Sequence, residues 1–205
     1  MIRKANADNI KNCIDLFNMS GKGELEAILP GVEDKVIREI LEAYVKRPEN
    51  MFSKNYIWIE ENEDNKPRAM ISLISGKDLA KAEFGVAKHS GIILNKVGFF
   101  KLMNAYMSGL KFYKNYPNRN ADELYLNAVA VYPEYRNQGI FTKLVKYSFE
   151  YCKELGLKAV YTFVKASNNK VIMRYEKLGF KISDSFNYPT RKGNIEHHKM
   201  YKPIE

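Results

Sequence analysis

The chain has 205 residues, 45% hydrophobic and 28% charged, with a formal net charge of +9. That suits one folded domain with a sizeable core, or one domain carrying an insertion. Two cysteines without ligand-like spacing, Cys13 and Cys152, exclude a disulfide framework and give no reason to expect a metal site, and the basic residues are scattered without any nucleic-acid-binding motif, so the positive field suits an anionic small ligand instead.

The start, MIRKANADNIKN, lacks the apolar core of a signal peptide. The most apolar long run, residues 91–110, is interrupted by Lys96 and Lys101 and does not read as a membrane span. A cytoplasmic location is therefore expected. Residues 1–6 predict a short edge strand. Asp8 is placed to cap a helix carrying Ile10, Cys13, Ile14 and Phe17 at helical spacing. Gly21 and Gly23 break the chain, and Pro30 with Gly31 breaks it again. A second helix presents Val36, Ile37, Ile40, Leu41, Tyr44 and Val45 on one face and ends at Pro48. Residues 56–60 and 68–75 read as a hairpin. Trp58 on its first strand can stack on a ligand or belong to the core.

Residues 77–117 predict a helical insertion between the third and fourth strands, since a structureless loop of that length would be unusual. Residues 79–88 suggest a short helix. Phe99, Leu102, Met103, Tyr106 and Leu110 fall on one stripe of a longer one, where Met103 and Met107 are expected to pack rather than touch a ligand. The unit can be a substrate wall or lid, a packed decoration, or a homodimer contact.

Residues 123–131 form a central apolar strand, and residues 141–155 an amphipathic helix stopped by Gly156. Residues 158–164 make the next strand, so a right-handed βαβ unit with parallel neighbours is predicted. Asn168 or Asn169 caps a helix carrying Val171, Ile172, Tyr175 and Leu178, stopped by Gly179. Residues 180–185 and 195–201 form closing strands joined through Pro189 and Gly193. His197 and His198 lie on the last of these, with only one facing inward, and a structural or surface role is expected for both.

The junction at residues 125–144, YLNAVAVYPEYRNQGIFTKL, carries the clearest chemistry. If the helix has begun by Phe141 and Thr142, the amides from Asn137 through Gln138, Gly139, Ile140, Phe141 and Thr142 have no carbonyl one turn earlier. With the helix dipole behind them they form a receptor for phosphate or diphosphate. Gly139 leaves room for a bulky anion, and Arg136 adds a fixed positive fork.

Arg136-Asn137-Gln138-Gly139-Ile140-Phe141 resembles the acetyl-CoA-binding motif of the GNAT superfamily of N-acetyltransferases, Arg/Gln-x-x-Gly-x-Gly/Ala after a strand. It departs at Phe141, where a Gly or Ala is usual. Residues 168–180, NNKVIMRYEKLGF, resemble the family's Asn-x-x-Ala-x-x-x-Tyr-Glu-Lys-Leu-Gly-Phe helix, with Val171 in place of the small residue. Both motifs stand in the family's order, and the resemblance runs across the chain, weakest over the insertion. It implies an α/β fold with a central mixed, splayed β-sheet flanked by helices, and one N-acetyltransferase domain over residues 1–205.

The resemblance further implies transfer of an acetyl group from acetyl-CoA to a primary amine in a ternary complex, without a metal. The pantetheine arm would bond backbone near Val129 and Val131, with a Val129 or Ala130 amide polarising the carbonyl. The diphosphate would lie on residues 136–142. Tyr175 takes the general-acid position, or is packed between helix and sheet. Asn168 contacts the cofactor, or caps its helix. Glu123, thirteen residues before Arg136, matches a base glutamate of some protein-acetylating members; it shares a strand face with Tyr125 and Asn127 and acts through water, or is a solvated carboxylate at a strand end. A small-molecule amine or a peptide remains open as acceptor, and a non-catalytic acyl-CoA-binding or sensing module is the alternative. Neither a nucleic acid nor a membrane is expected as a partner.

Overall fold

The structure, a computed structural model, describes residues 1–114, 119–190 and 193–205. Its strands are β1 (Ile2–Lys4), β2 (Ile57–Glu61), β3 (Pro67–Ser75), β4 (Glu123–Val131), β5 (Ala159–Lys165), β6 (Lys181–Thr190) and β7 (Gly193–Pro203). They form one sheet in the order β1-β2-β3-β4-β5-β7-β6. Only β4 and β5 are parallel, as the strand–helix–strand run between them requires; every other pair is antiparallel. The helices are α1 (Ile10–Ile28), α2 (Asp34–Lys46), α3 (Gly76–Lys88), α4 (Gly91–Val97), α5 (Phe99–Lys114), α6 (Ile140–Glu154) and α7 (Asn169–Glu176). Among the described residues, no helix is long and apolar enough to cross a membrane.

Both sheet faces are covered. On one, Leu124, Leu126, Ile71 and Val160 pack with Leu144, Val145 and Cys152 of α6 and Ile172 and Tyr175 of α7. On the other, Met70 and Ala130 meet Ile14, Phe17, Ile37 and Leu41 of α1 and α2. The same face continues as Ile74, Tyr125 and Tyr161 against Leu79 and Ala82 of α3. Trp58 is core, buried with Tyr151 at 4.7 Å and the Lys4 ammonium 3.8 Å over its ring. Cys13 and Cys152 are free and fully buried in separate clusters; burial pushes their thiols up to about 12 and about 11.

Three sequence expectations need correction. Asp8 is not the cap: Asn6 accepts from the Asp8 amide at 3.0 Å, Asn9 reciprocates to the Asn6 amide at 3.2 Å, and the turn they close leads into α1. Gly21 and Gly23 do not break the chain, because α1 continues to Ile28. A glycine costs a helix interior only about 1 kcal/mol, and the Glu24, Leu25, Glu26 and Ala27 that follow are good helix formers. In α5 the stripe read as packing faces outward: Phe99, Met103, Tyr106 and Met107 are exposed while Ala105 is buried beside Tyr44 and Leu29. The helix is apolar on several sides, so periodicity alone cannot select the inner one. The side chain of Leu110 and residues 115–117 of the insertion lie outside what the structure describes.

The insertion sits where it was expected, between β3 and β4, as α3, α4 and α5. Gly85 seats α3, since a Cβ there would stand 1.6 Å from the Glu49 carbonyl oxygen. The neighbouring Val86 carbonyl accepts from the Tyr44 hydroxyl at 3.0 Å. Helix α5 packs against α1, α4 and β6, spanning the face opposite α6 and α7.

Near the outer edge of the sheet, Glu60 on β2 is fully buried and receives two hydrogen bonds from Arg68, at 3.0 and 2.7 Å, and one from Lys143 of α6 at 2.8 Å. Burial alone would raise its carboxyl, but the hydrogen bonds from Arg68 and Lys143 more than offset this and hold it below the ordinary carboxylate value. The carboxylate thus contributes stability above its unfolded pKa of about 4.3, and this is lost as pH falls through the lower folded value. Glu60→Ala should cost roughly 1–3 kcal/mol at neutral pH in urea unfolding, by leaving buried donors unsatisfied. Glu60→Gln should flatten the fall in stability below about pH 4.3.

Candidate active site

The site begins where two strands part. β4 and β5 pair only at Glu123 with Ala159, Leu124 with Val160 and Tyr125 with Tyr161. Beyond Tyr125, residues 126–131 of β4 have no strand partner on that side among the described residues. On the other side β4 stays paired with β3, but with a break in register: Ser72 faces Ala128 and Leu73 faces Leu126, leaving Asn127 as an extra residue. The Asn127 side chain donates to the Met51 carbonyl at 3.0 Å and the Ser72 hydroxyl at 3.3 Å. The bulge reverses the alternation, so Val129 and Val131 lean toward α6 while Ala128 and Ala130 lean toward α1 and α2.

At the far end of β4, a short turn (Pro133–Tyr135) leads to α6. Asn137 and Gly139 both take positive φ, 62° and 76°, which turns the chain sharply enough to start the helix directly. The first bond of α6 runs from the Lys143 amide to the Gly139 carbonyl at 3.0 Å. Among the described residues, the amides of residues 137–142 have no acceptor. A Cβ on Gly139 would meet nothing within 4 Å, so its surroundings are open. Arg136 is exposed and its Nε donates to the Val131 carbonyl at 3.2 Å, fastening the turn to the end of β4 while its terminal nitrogens stay outside. Unpaired amides, a helix dipole and a nearby guanidinium fit a diphosphate.

Tyr175 is brought to the same gap from α7. It is only 3% exposed, clamped edge-on between Phe141 at 5.3 Å and Phe180 at 5.0 Å. Burial pushes its phenol well above the ordinary value, and an interaction with the Thr162 side chain pulls partly back. Thr162 is the first β5 residue past the last pair with β4, so Tyr175 lies beside the point where the strands diverge. A phenol held neutral there is a proton donor. Phe141, the departure from the glycine or alanine of the motif, fills the space between α6 and α7.

A family model for the acetyltransferase (GNAT) family matches residues 34–180. The chain belongs to the GNAT acetyltransferase family. Over 86 residues it is 34% identical to ribosomal protein bS18 alanine N-acetyltransferase of Escherichia coli, a match covering 40% of this chain and 57% of that protein. The chain thus spans little more than half the length of that curated relative. Among solved structures, an N-acetyltransferase from Staphylococcus aureus superposes with a TM-score of 0.71 at 18% identity, covering 98% of this chain and 100% of the other. The ribosomal-protein alanine N-acetyltransferase of Escherichia coli gives 0.56 at 15% identity, covering 100% and 94%. At these identities the two superpositions speak to fold. The GNAT family uses acetyl-CoA as cosubstrate, which accords with the anion receptor at residues 137–142.

Glu123, Asn168, His197 and His198 were also singled out in the sequence. Glu123 is not a solvated carboxylate: it is 4% exposed, accepts from the Asn120 side chain at 2.6 Å and pairs with Lys199 of β7 at 3.3 Å. Like Tyr125 it lies on the face opposite Tyr175, two residues short of the divergence. Asn168 caps α7, accepting from the Val171 amide at 3.4 Å. His197 is buried and stacked on Phe186 at 5.4 Å, whereas His198 lies beside the Ser185 hydroxyl at 2.8 Å; neither is at the gap. The roles of three contributors escaped the sequence reading. Asn127 makes the bulge, and a lone amide inside an apolar strand was its available signal. Thr162 and Lys199 meet Tyr175 and Glu123 only through the tertiary fold.

Replacing Gly139 by valine places a β-branched side chain at a φ of +76°. It should cost about 1–3 kcal/mol in stability. The turn amides should also be misaligned, which abolishes the rise in melting temperature on adding coenzyme A.

Proposed function

We propose that the chain is an acetyl-CoA-dependent N-acetyltransferase moving an acetyl group directly to a primary amine in a ternary complex. One observation supports this reading: Phe141, whose amide belongs to the unpaired turn, meets the ring of Tyr175 at 5.3 Å, beside the strands β4 and β5 whose pairing ends at Tyr125 and Tyr161. Acetyl-CoA supplies the thioester. Residues 136–142 hold its diphosphate, and the unpaired edge of β4 at Val129, Ala130 and Val131 holds the pantetheine arm. An amide of Val129 or Ala130 polarises the carbonyl. Asn168, whose side-chain oxygen caps α7, turns its amide nitrogen to the cofactor.

As the amine nitrogen bonds to the acetyl carbon and the carbon–sulfur bond breaks, Tyr175 gives its proton to the departing sulfur. Glu123 takes the ammonium proton through water from the other face of the sheet. Its pair with Lys199 and Asn120 fixes its position. The acceptor enters from that face, between α1, α2 and the insertion. The name of the Escherichia coli relative puts a peptide with an N-terminal alanine first among acceptors to try, followed by free amino acids, polyamines and aminoglycosides.

Acetyl-CoA should be consumed with at least one of these amines, read as released coenzyme A. Retained cofactor binding with no turnover across the set would replace the enzyme by a non-catalytic acyl-CoA-binding module. Tyr175→Phe should lower kcat by about 10²-fold while leaving acetyl-CoA affinity unchanged. An unaltered kcat across pH removes the acid role.

A further inference from the structure

We propose that the exposed face of α7 bearing Lys170 and Arg174, continued by Lys177, is the seat of the 3′-phosphate of coenzyme A. The assignment rests on reading residues 137–142 as the diphosphate site. The three cations follow at i, i+4 and i+7, one side of the helix. Together with Met173 they line an open surface depression of about 210 Å³. Some surface cations of this chain are neutralised, as Lys46 is by Glu42, Lys81 by Glu49 and Lys158 by Asp122. Among the described residues none of these three has an ion-pair partner, and Glu176 of the same helix pairs with none of them. Lys170 also lies in the first turn of α7, where the helix dipole disfavours a cation unless an anion is present.

The place fits the ligand. The Arg174 guanidinium carbon is 5.9 Å from the centre of the Phe141 ring, and Phe141 contributes an amide to the diphosphate turn. In coenzyme A the ribose that follows the diphosphate carries the 3′-phosphate, so the two anionic groups are separated by one sugar. Two different cation sources therefore meet the cofactor: backbone amides at the diphosphate and α7 side chains at the phosphate. Met173, 52% exposed between the cations, offers an apolar floor for the adenosine.

The test compares coenzyme A with 3′-dephospho-coenzyme A by titration calorimetry, on the wild-type chain and on Lys170→Ala/Arg174→Ala/Lys177→Ala. Wild type should bind coenzyme A at least about tenfold more tightly, as expected for charge-assisted bonds to a phosphate. The triple variant should lose that preference through weaker binding of coenzyme A alone, with dephospho-coenzyme A bound as before. All three side chains are exposed, and an unchanged melting temperature checks the fold. Equal wild-type affinities, or a preference that survives the triple substitution, overturn the assignment and leave the diphosphate site standing. Failure of both ligands to bind wild type overturns the diphosphate site and this assignment together.

Discussion

The structure depends on a constraint that β4 cannot satisfy on both sides at once. It stays hydrogen-bonded to β3 along its length, and it leaves β5 after Tyr125. The extra residue Asn127 falls just beyond the last shared pair, and its side chain is bonded to Met51 and Ser72 rather than left to solvent. A buried strand edge normally has a neighbour to satisfy its peptide groups. Here residues 126–131 leave that edge unpaired on the β5 side, next to the helices that carry Tyr175 and the amide-lined turn.

The same divergence distributes the candidate residues over two faces. Tyr175, Phe141 and the amides of residues 137–142 lie with α6 and α7. Glu123, Tyr125 and the inserted helices lie behind the sheet. Under the proposed mechanism the two ligands reach the gap from opposite sides, and the sheet separates them except where it is split. Gly85 matters because its missing Cβ lets α3 settle on the Glu49 backbone, which fixes the wall of the rear side.

Legibility from the sequence follows the range of the interactions. The α6 turn and the α7 helix are local: Gly139, Arg136, Tyr175 and the caps Asn168 and Gly179 sit within a few residues of what they organise, and their spacing is visible directly. The pairing of β2 with β3 and of β4 with β5 followed from the hairpin and from the length of the βαβ run. What could not be read depends on partners distant in the chain. The burial of Glu123 comes from Lys199, and the packing side of α5 is chosen by Ala105 against Tyr44. Glycines as breakers failed in α1 because a cost of about 1 kcal/mol is small beside the burial of Cys13, Leu16 and Phe17 on the same helix.

The seclusion of the two sulfur atoms has a chemical corollary. The thiolate is the reactive form in disulfide exchange. Cys13 and Cys152 expose no surface, and burial keeps both protonated at neutral pH. Under the proposed mechanism a free thiol is released at every turnover. Oxidised coenzyme A or a mixed disulfide in solution finds no reachable sulfur on the folded chain, which closes thiol–disulfide exchange as a route by which the proposed product could modify it.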